Sequence, residues 1–494
     1  MIKPYKTFLF LTTVLCILAL ISFSFPREGI RISEDFTIRF KKLDDVLHPK
    51  EVKYANISEI IELSNDLESS DTIEVVDDLP QQDTIRVNAD SLKSRIYALE
   101  FPENNHAILY PFFEKLNTSS RKRIVRIMHY GDSQIEGDRI TGFLRNRLQR
   151  QFGGCGAGLV PAVQVYDFDY TLKQDNSNNW KRYTVFGVRD TTLKHRRYGA
   201  LAAFSRFTPS VPDSIIIDSA YQSAWITFEK SNLSFKNVRN YNQCRLFYSH
   251  NKRTVEAEIF ADDELLETKS ISPSKSLKTL YWTFNEAPKK LEIKMKGNDS
   301  PDIYGVAFDG YSGVAVDNIA MRGCSGLIFT GMDQNLLKSM YKKLNTDMLI
   351  LQFGGNMVPY LTKNFDFYER RFYQQLTTIQ KIMPDVTIIV IGVADMSKKD
   401  GEYYVSYPNI KNIRDAMRSA TLKAGCIYWD LYDAMGGENS MPSWVYAKPS
   451  LATSDFTHFN HRGARVVAEM FYKAFMEEYN NYVTEVNKEK IVQN

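Results

Sequence analysis

The sequence predicts an α/β fold: a parallel sheet with helices on both faces, interrupted by an all-β sandwich. Three observations carry this. Runs of β-branched and apolar residues at 124–130, 314–319, 348–353, 386–391 and 426–431 read as strands buried on both faces. Helical apolar spacings lie between them: Ile140, Phe143, Leu144 and Leu148; Leu336, Leu337, Met340 and Leu344; Phe365, Tyr368, Phe372, Leu376 and Ile379; Ile410, Ile413 and Met417. Between residues 166 and 312 the pattern changes to short alternating strands, such as Leu291, Ile293 and Met295 against Glu292, Lys294 and Lys296.

The chain has 494 residues, enough for two or three domains, and 44% apolar with 13% aromatic residues indicates sizeable cores. A net charge of +3 and the lack of a long Lys/Arg run argue against a nucleic-acid binder; Arg121-Lys122-Arg123 is short and precedes a core strand. Residues 1–26 read as a transmembrane anchor or signal peptide, with Lys3 and Lys6 before an apolar run from Phe8 to Phe25. The absence of an obvious small-x-small site before Pro26 favours an uncleaved anchor, and a cleaved signal peptide is the alternative. Residues 27–90 read as a flexible acidic linker: seven acidic residues and no Lys or Arg fall between Asp66 and Asp83.

The α/β domain is expected in two parts, 91–165 and 313–480, around a sandwich at 166–312, with a C-terminal tail at 481–494. Gly153 to Gly158 reads as a flexible glycine-rich loop near the site mouth; it follows a helix and lacks Gly-Lys-Ser/Thr, so it is no phosphate loop. Trp225 and Trp282 are expected mainly as core. The last helix should run from His461 to about Tyr479. The five cysteines show no motif spacing, and Cys324 lacks a local base motif.

Four stretches carry chemistry. The strand at 124–130 ends at Gly131-Asp132-Ser133-Gln134, a strand–turn–helix pattern that holds a serine out at a sheet edge near helical N–H groups. Gly131 is expected to allow the turn and Gly137 to allow close backbone approach. Gly323 follows the strand at 314–319, Gly354-Gly355-Asn356 follows the strand at 348–353, and Asp455-Phe456-Thr457-His458 precedes the last helix. Ligands bind at the carboxyl ends of strands in such sheets. A serine hydroxyl needs a base within reach, and His458 offers one, with Asp455 three residues away to fix its tautomer. His129 is expected to pack behind the site, and His461 to cap the last helix or be solvated.

In this order, Ser133, Gly323, Asn356 and His458 with Asp455 resemble the SGNH branch of the GDSL hydrolases, with Gln134 where the family's name has leucine. The resemblance implies a flavodoxin-like three-layer α/β/α sheet, a Ser133–His458–Asp455 triad, and oxyanion donors in the Ser133 N–H, the Gly323 N–H and the Asn356 amide. It requires no metal or other cofactor, and no Cys/His cluster has zinc spacing. An SGNH hydrolase split by a carbohydrate-binding-like sandwich and exported to the cell envelope is similar to bacterial peptidoglycan O-acetylesterases. That group removes acetyl from the C6 hydroxyl of N-acetylmuramic acid. The implied partner is an O-acetylated polysaccharide, and the implied place is the envelope, membrane-anchored with the body in the periplasm or secreted there. An envelope O-acyltransferase and a non-catalytic glycan-binding protein are the alternatives.

Overall fold

The computed structural model describes residues 3–492, apart from 27, 34–36, 39, 43, 45–51, 72–97, 167, 189, 192, 211–219 and 363. The chain divides into two units, Met1–Lys53 and Tyr54–Asn494.

In the first unit, helix α1 (Pro4–Ser24) spans 21 residues, with a mean hydropathy of 2.3 over its most apolar window. At 1.5 Å per residue that is about 30 Å, the thickness of a bilayer's hydrocarbon core. A short antiparallel pair, Ile30–Arg31 with Thr37–Ile38, follows.

The second unit holds the predicted parallel sheet. Its strands are β1 (Ile124–Gly131), β2 (Gly313–Ala320), β3 (Thr346–Gln352), β4 (Thr387–Ile391) and β5 (Ile427–Trp429), in the spatial order β2-β1-β3-β4-β5. This is the flavodoxin-like order. Alternation decides the two faces. Val125, Ile127, Ile350 and Ile389 enter one core; Met128, Tyr130, Leu351 and Val390 enter the other. Glu100 closes the free edge of β5 by exchanging backbone hydrogen bonds with Tyr428 (2.7 and 3.0 Å).

The linker expected over 27–90 is partly a packed element. Helix α2 (Ser58–Asp71) is capped by Asn56, whose Oδ1 accepts the Ser58 N–H at 3.1 Å. Ile57 and Ile60 are buried in the core, and Ile61 and Leu67 pack against it. This spacing of three and four forms an apolar stripe beneath an acidic face. Most of the acidic run, from residue 72 on, lies outside the described residues.

Helix α3 (Thr141–Phe152) packs on β2, while α4 (Gln334–Leu344), α5 (Asp366–Ile382) and α6 (Ile410–Lys423) cover the opposite face. Helix α7 runs from His461 to Val492, so the helix extends through most of the expected tail. Its Arg462 holds α2, with Nε 2.6 Å from Ser64 Oγ and Nη1 2.7 Å from Glu68.

The insertion is two antiparallel sheets. One orders strands Glu264–Ile271, Val255–Ala261, Lys290–Gly297, Gln222–Lys230 and Leu172–Asn176; the other orders Lys278–Thr283, Gln243–Ser249, Asp302–Asp309, Ala203–Arg206 and Lys181–Thr184. Leu291, Ile293 and Met295 are fully buried, as their alternation predicts; Trp282 is core and Trp225 is half-buried. Gly158–Val160 already pairs with Asp302–Asp309, so the sandwich begins before residue 166.

The glycine-rich loop is neither loose nor at the site. Cβ atoms at Gly154 and Gly156 would lie 2.5 Å from Val314 O and 2.2 Å from Phe308 O. The glycines are there because backbone packs on backbone, and Val314 is the second residue of β2, at the end opposite the strand's carboxyl edge.

The two architectures meet at Arg126, which is fully buried in β1. Its Nη2 lies 2.7 Å from Asp309 on the sandwich's last strand, its Nη1 2.5 Å from Asp317 on β2, and its Nε donates to Leu344 O at 2.9 Å. Burial pushes the Asp309 carboxyl up, but Arg126 and Arg245 outweigh it and hold it below the usual carboxylate range. For Asp317 burial prevails over Arg126 and the group lies above that range. Removing one partner of such a cluster strands buried charge. Arg126→Met is therefore expected to cost about 3–5 kcal/mol, read as a lower urea midpoint. Lys411→Ala, which breaks an exposed pair with Glu438, should cost under about 1 kcal/mol.

Candidate active site

Strand register assembles the site. Gly131 at the end of β1 pairs with Ala320 on one side and Gln352 on the other. Ser133, Gly323 and Asn356 follow these three residues at short distance along the chain, so their loops share one carboxyl edge. His458 arrives from the loop before α7.

Ser133 Oγ lies 2.8 Å from His458 Nε2, and His458 Nδ1 lies 2.7 Å from Asp455 Oδ2. Asp455 Oδ1 accepts the Thr453 hydroxyl (2.6 Å) and the N–H groups of Thr457 (2.9 Å) and His458 (3.0 Å). Burial raises the Asp455 pKa, but these hydrogen bonds and the one from the His458 ring outweigh it and hold the group at about 2. Asp455 is thus ionised at neutral pH and fixes the proton on Nδ1, leaving Nε2 to accept from the serine.

The turn differs from expectation in two respects. Ser133 begins a 3₁₀ turn, Ser133–Asp138, and α3 starts only at Thr141, so no long helix has its N-terminus at the serine. The two glycines also exchange roles. A Cβ on Gly131 would meet Ile135 at 2.9 Å and Gln352 O at 3.0 Å, a close approach, whereas Gly137 takes the left-handed conformation at φ +65°. Asp132 caps the turn by accepting the Gln134 N–H at 3.0 Å, and burial pushes its carboxyl up to about 6 against that bond.

Among the described residues, the N–H groups of Ser133 and Gly323 have no hydrogen-bond acceptor. Gly323 sits at φ +78° in an exposed turn with no atom within 4 Å of where a Cβ would stand. Asn356 is different: its Nδ2 donates to Cys324 O at 3.0 Å and to Asp132 Oδ2 at 3.3 Å, so both amide hydrogens are engaged.

Two residues bind the histidine loop to the nucleophile turn: Gln134, noted in the sequence only as a departure from the family's leucine, and Arg139, which sequence reasoning passed over. Gln134, nearly buried, donates from Nε2 to Thr457 O (2.6 Å) and accepts the Phe459 N–H (3.4 Å), gripping the peptide groups on both sides of His458. Arg139 donates to Phe459 O (3.0 Å) and Ser133 O (2.6 Å). The signal for Gln134 was in the motif itself: an amide replaces leucine where a leucine could make neither bond.

His461 is exposed at the start of α7, its ring 4.4 Å from that of Tyr170. The Cys324 thiol is buried and pushed up to about 12, too high for a nucleophile at neutral pH. His129 is fully buried behind the sheet edge, with Nε2 3.1 Å from Gln352 Oε1 and Nδ1 2.9 Å from Thr141 Oγ1.

Residues 295–466 match the GDSL-like Lipase/Acylhydrolase family. The chain carries a GDSL-like acylhydrolase domain. The matched span includes Gly323, Asn356, Asp455 and His458; Ser133 lies before the insertion, outside it. A solved structure of a peptidoglycan O-acetylesterase superposes on 78% of this chain and 99% of its own, with a TM-score of 0.61 at 18% identity. That span exceeds the α/β part of this chain, so the shared fold extends into the sandwich. Two carbohydrate esterases superpose much more loosely. An acetyl xylan esterase covers 33% of this chain and 81% of its own at TM-score 0.24 and 16% identity. A family two carbohydrate esterase from Clostridium thermocellum, in complex with cellohexaose, covers 61% and 99% at 0.23 and 9%. No curated protein sequence matches the chain.

Burial lowers the His129 pKa from 6.5 to about 3. The unfolded chain takes up a proton below about 6.5 that the folded one refuses until about 3, so this contribution is complete above that range and is lost as pH falls. Between pH 6.5 and about 4.5, wild type should lose about 1.4 kcal/mol per pH unit more than His129→Gln, measured by denaturant titration.

Proposed function

We propose that this protein is a serine esterase that removes O-acetyl groups from a cell-envelope polysaccharide, with peptidoglycan as substrate. The observation that carries the reading is the hydrogen-bonded chain Ser133–His458–Asp455, at 2.8 and 2.7 Å, within a GDSL-like domain. Ser133 Oγ attacks the acetyl carbonyl as His458 Nε2 takes its proton, and Asp455 stabilises the imidazolium. The Ser133 and Gly323 N–H groups meet the oxyanion, and Asn356 joins them by giving up its longer contact, at 3.3 Å, with Asp132. One such donor is worth roughly 3–4 kcal/mol in the transition state. His458 then protonates the leaving sugar oxygen. Water clears the acetyl-enzyme with the same histidine as base.

Peptidoglycan is the substrate in the name of the solved protein that shares the fold over most of this chain. Helix α1 supports an envelope address, as an uncleaved anchor that holds the body outside the inner membrane.

The detergent-solubilised full chain and its Ser133→Ala variant test the reading by acetate release from O-acetylated peptidoglycan, from acetylated xylan and from a small activated acetate ester. Release from peptidoglycan, reduced about a million-fold in the variant, is expected. Release from xylan alone would discard the peptidoglycan assignment, and acetyl transfer to a sugar acceptor in place of release would make the protein a transferase.

Gln134→Leu, which restores the motif residue but releases both peptide groups beside His458, should lower kcat on the small ester roughly 10- to 100-fold, since displacements of about 1 Å have effects of that size. KM for that ester should change little.

A further inference from the structure

The insertion reaches the site through its leading segment. Tyr170 N–H donates to Gly137 O at 3.1 Å, which lays this segment over the turn that begins at Ser133. Four residues earlier, Tyr166 contacts the Gly323 turn. Its Oη donates to Ala320 O (3.1 Å) and accepts the Arg322 N–H (3.3 Å), and the Arg322 guanidinium lies over its ring, 5.1 Å from the centroid. The same guanidinium forks onto Glu136, with Nε–Oε1 at 2.7 Å and Nη2–Oε2 at 2.6 Å. Burial raises the Tyr166 pKa, which keeps the phenol a donor at neutral pH.

The turn is tied on every side of Gly323. Met321 N–H donates to Gly131 O (2.9 Å), Cys324 N–H to Met321 O (3.0 Å), and Asn356 grips Cys324 O (3.0 Å). Gly323 itself has no side chain, and its N–H has no hydrogen-bond acceptor among the described residues, so the direction of that N–H depends on these neighbouring ties. The ties at Ala320 O and Arg322 N both come from one phenol of the insertion.

We propose that Tyr166 is a positioning residue that sets the Gly323 N–H for catalysis, which makes the inserted β-module part of the active site and not only a holder of glycan. This rests on the reading of Gly323 as an oxyanion donor. A module that only holds glycan should influence polymeric substrates through KM. A module that shapes the oxyanion hole should influence every ester, including one too small to reach the sandwich.

The test uses the full chain, a small activated acetate ester and an alkyl boronic acid that forms a tetrahedral adduct with Ser133. Tyr166→Phe keeps the ring and removes both hydrogen bonds. It should lower kcat about tenfold, leave KM within about twofold, and weaken the boronate by the same factor as kcat/KM. Arg322→Ala keeps the main-chain bond to Tyr166 but loses the fork onto Glu136, and should give a smaller loss in the same direction, about threefold. Wild-type kcat and boronate affinity in folded Tyr166→Phe would overturn the proposal, as would a loss confined to KM on O-acetylated peptidoglycan. If Tyr166→Phe does not fold, unchanged kcat in both Arg322→Ala and Glu136→Gln overturns it. Full activity in Ser133→Ala would overturn instead the esterase reading on which it rests.

Discussion

A guanidinium shut away from water must bring its counter-charges with it. Arg126 meets that requirement from two architectures at once: Asp317 lies on the neighbouring strand of the parallel sheet and Asp309 on the last strand of the sandwich. Asp317 also accepts the Leu159 N–H at 2.8 Å, where the chain enters the sandwich. The points where the chain leaves and rejoins the α/β fold therefore converge on one buried cluster. An insertion held at a single surface hinge would be free to swing. Held at its roots by charges that cannot be exposed, it keeps a defined place beside the sheet.

That placement matters because the site is divided by the insertion. Ser133 comes from the chain before it, and Gly323, Asn356, Asp455 and His458 from the chain after it. Strand register brings the glycine and asparagine loops to the serine, and Gln134 and Arg139 bring the histidine loop. The resulting constellation has a short serine–histidine–aspartate chain and two uncommitted N–H groups. The Asn356 amide is already occupied, so one of its hydrogens must change partner before it can serve a substrate.

The sheet, the sandwich and the serine, histidine and aspartate were legible because each leaves a local trace: apolar runs for β1 to β5, period-two alternation in the insertion, short polar motifs at strand ends. The elements that escaped did so for physical reasons. Helix α2 carries its apolar stripe, Ile57, Ile60, Ile61 and Leu67, within an acidic composition that masks it. The glycines at 154 and 156 look like loop residues until the backbone against which they pack is known. Tyr166 bonds Ala320 O, and Gln134 and Arg139 bond Thr457 O and Phe459 O, each more than 150 positions away; the motif marks Gln134 as a departure, but no window of sequence contains the partners of these bonds.

The central position of β1 also affects how the chain is made. The strand lies between β2 and β3, and both are synthesised after the whole insertion. At ribosomal rates, the 182 residues from Gly131 to Gly313 take roughly 10–40 s. Throughout that interval a strand apolar on both faces has neither of its sheet neighbours. The sandwich pairs its strands over separations from a tight hairpin, Val255–Ala261 with Glu264–Ile271, to the span between Gly158–Val160 and Asp302–Asp309, and its last strand delivers Asp309 just ahead of β2. The order of synthesis thus brings a carboxylate to Arg126 before the sheet that will bury it is assembled.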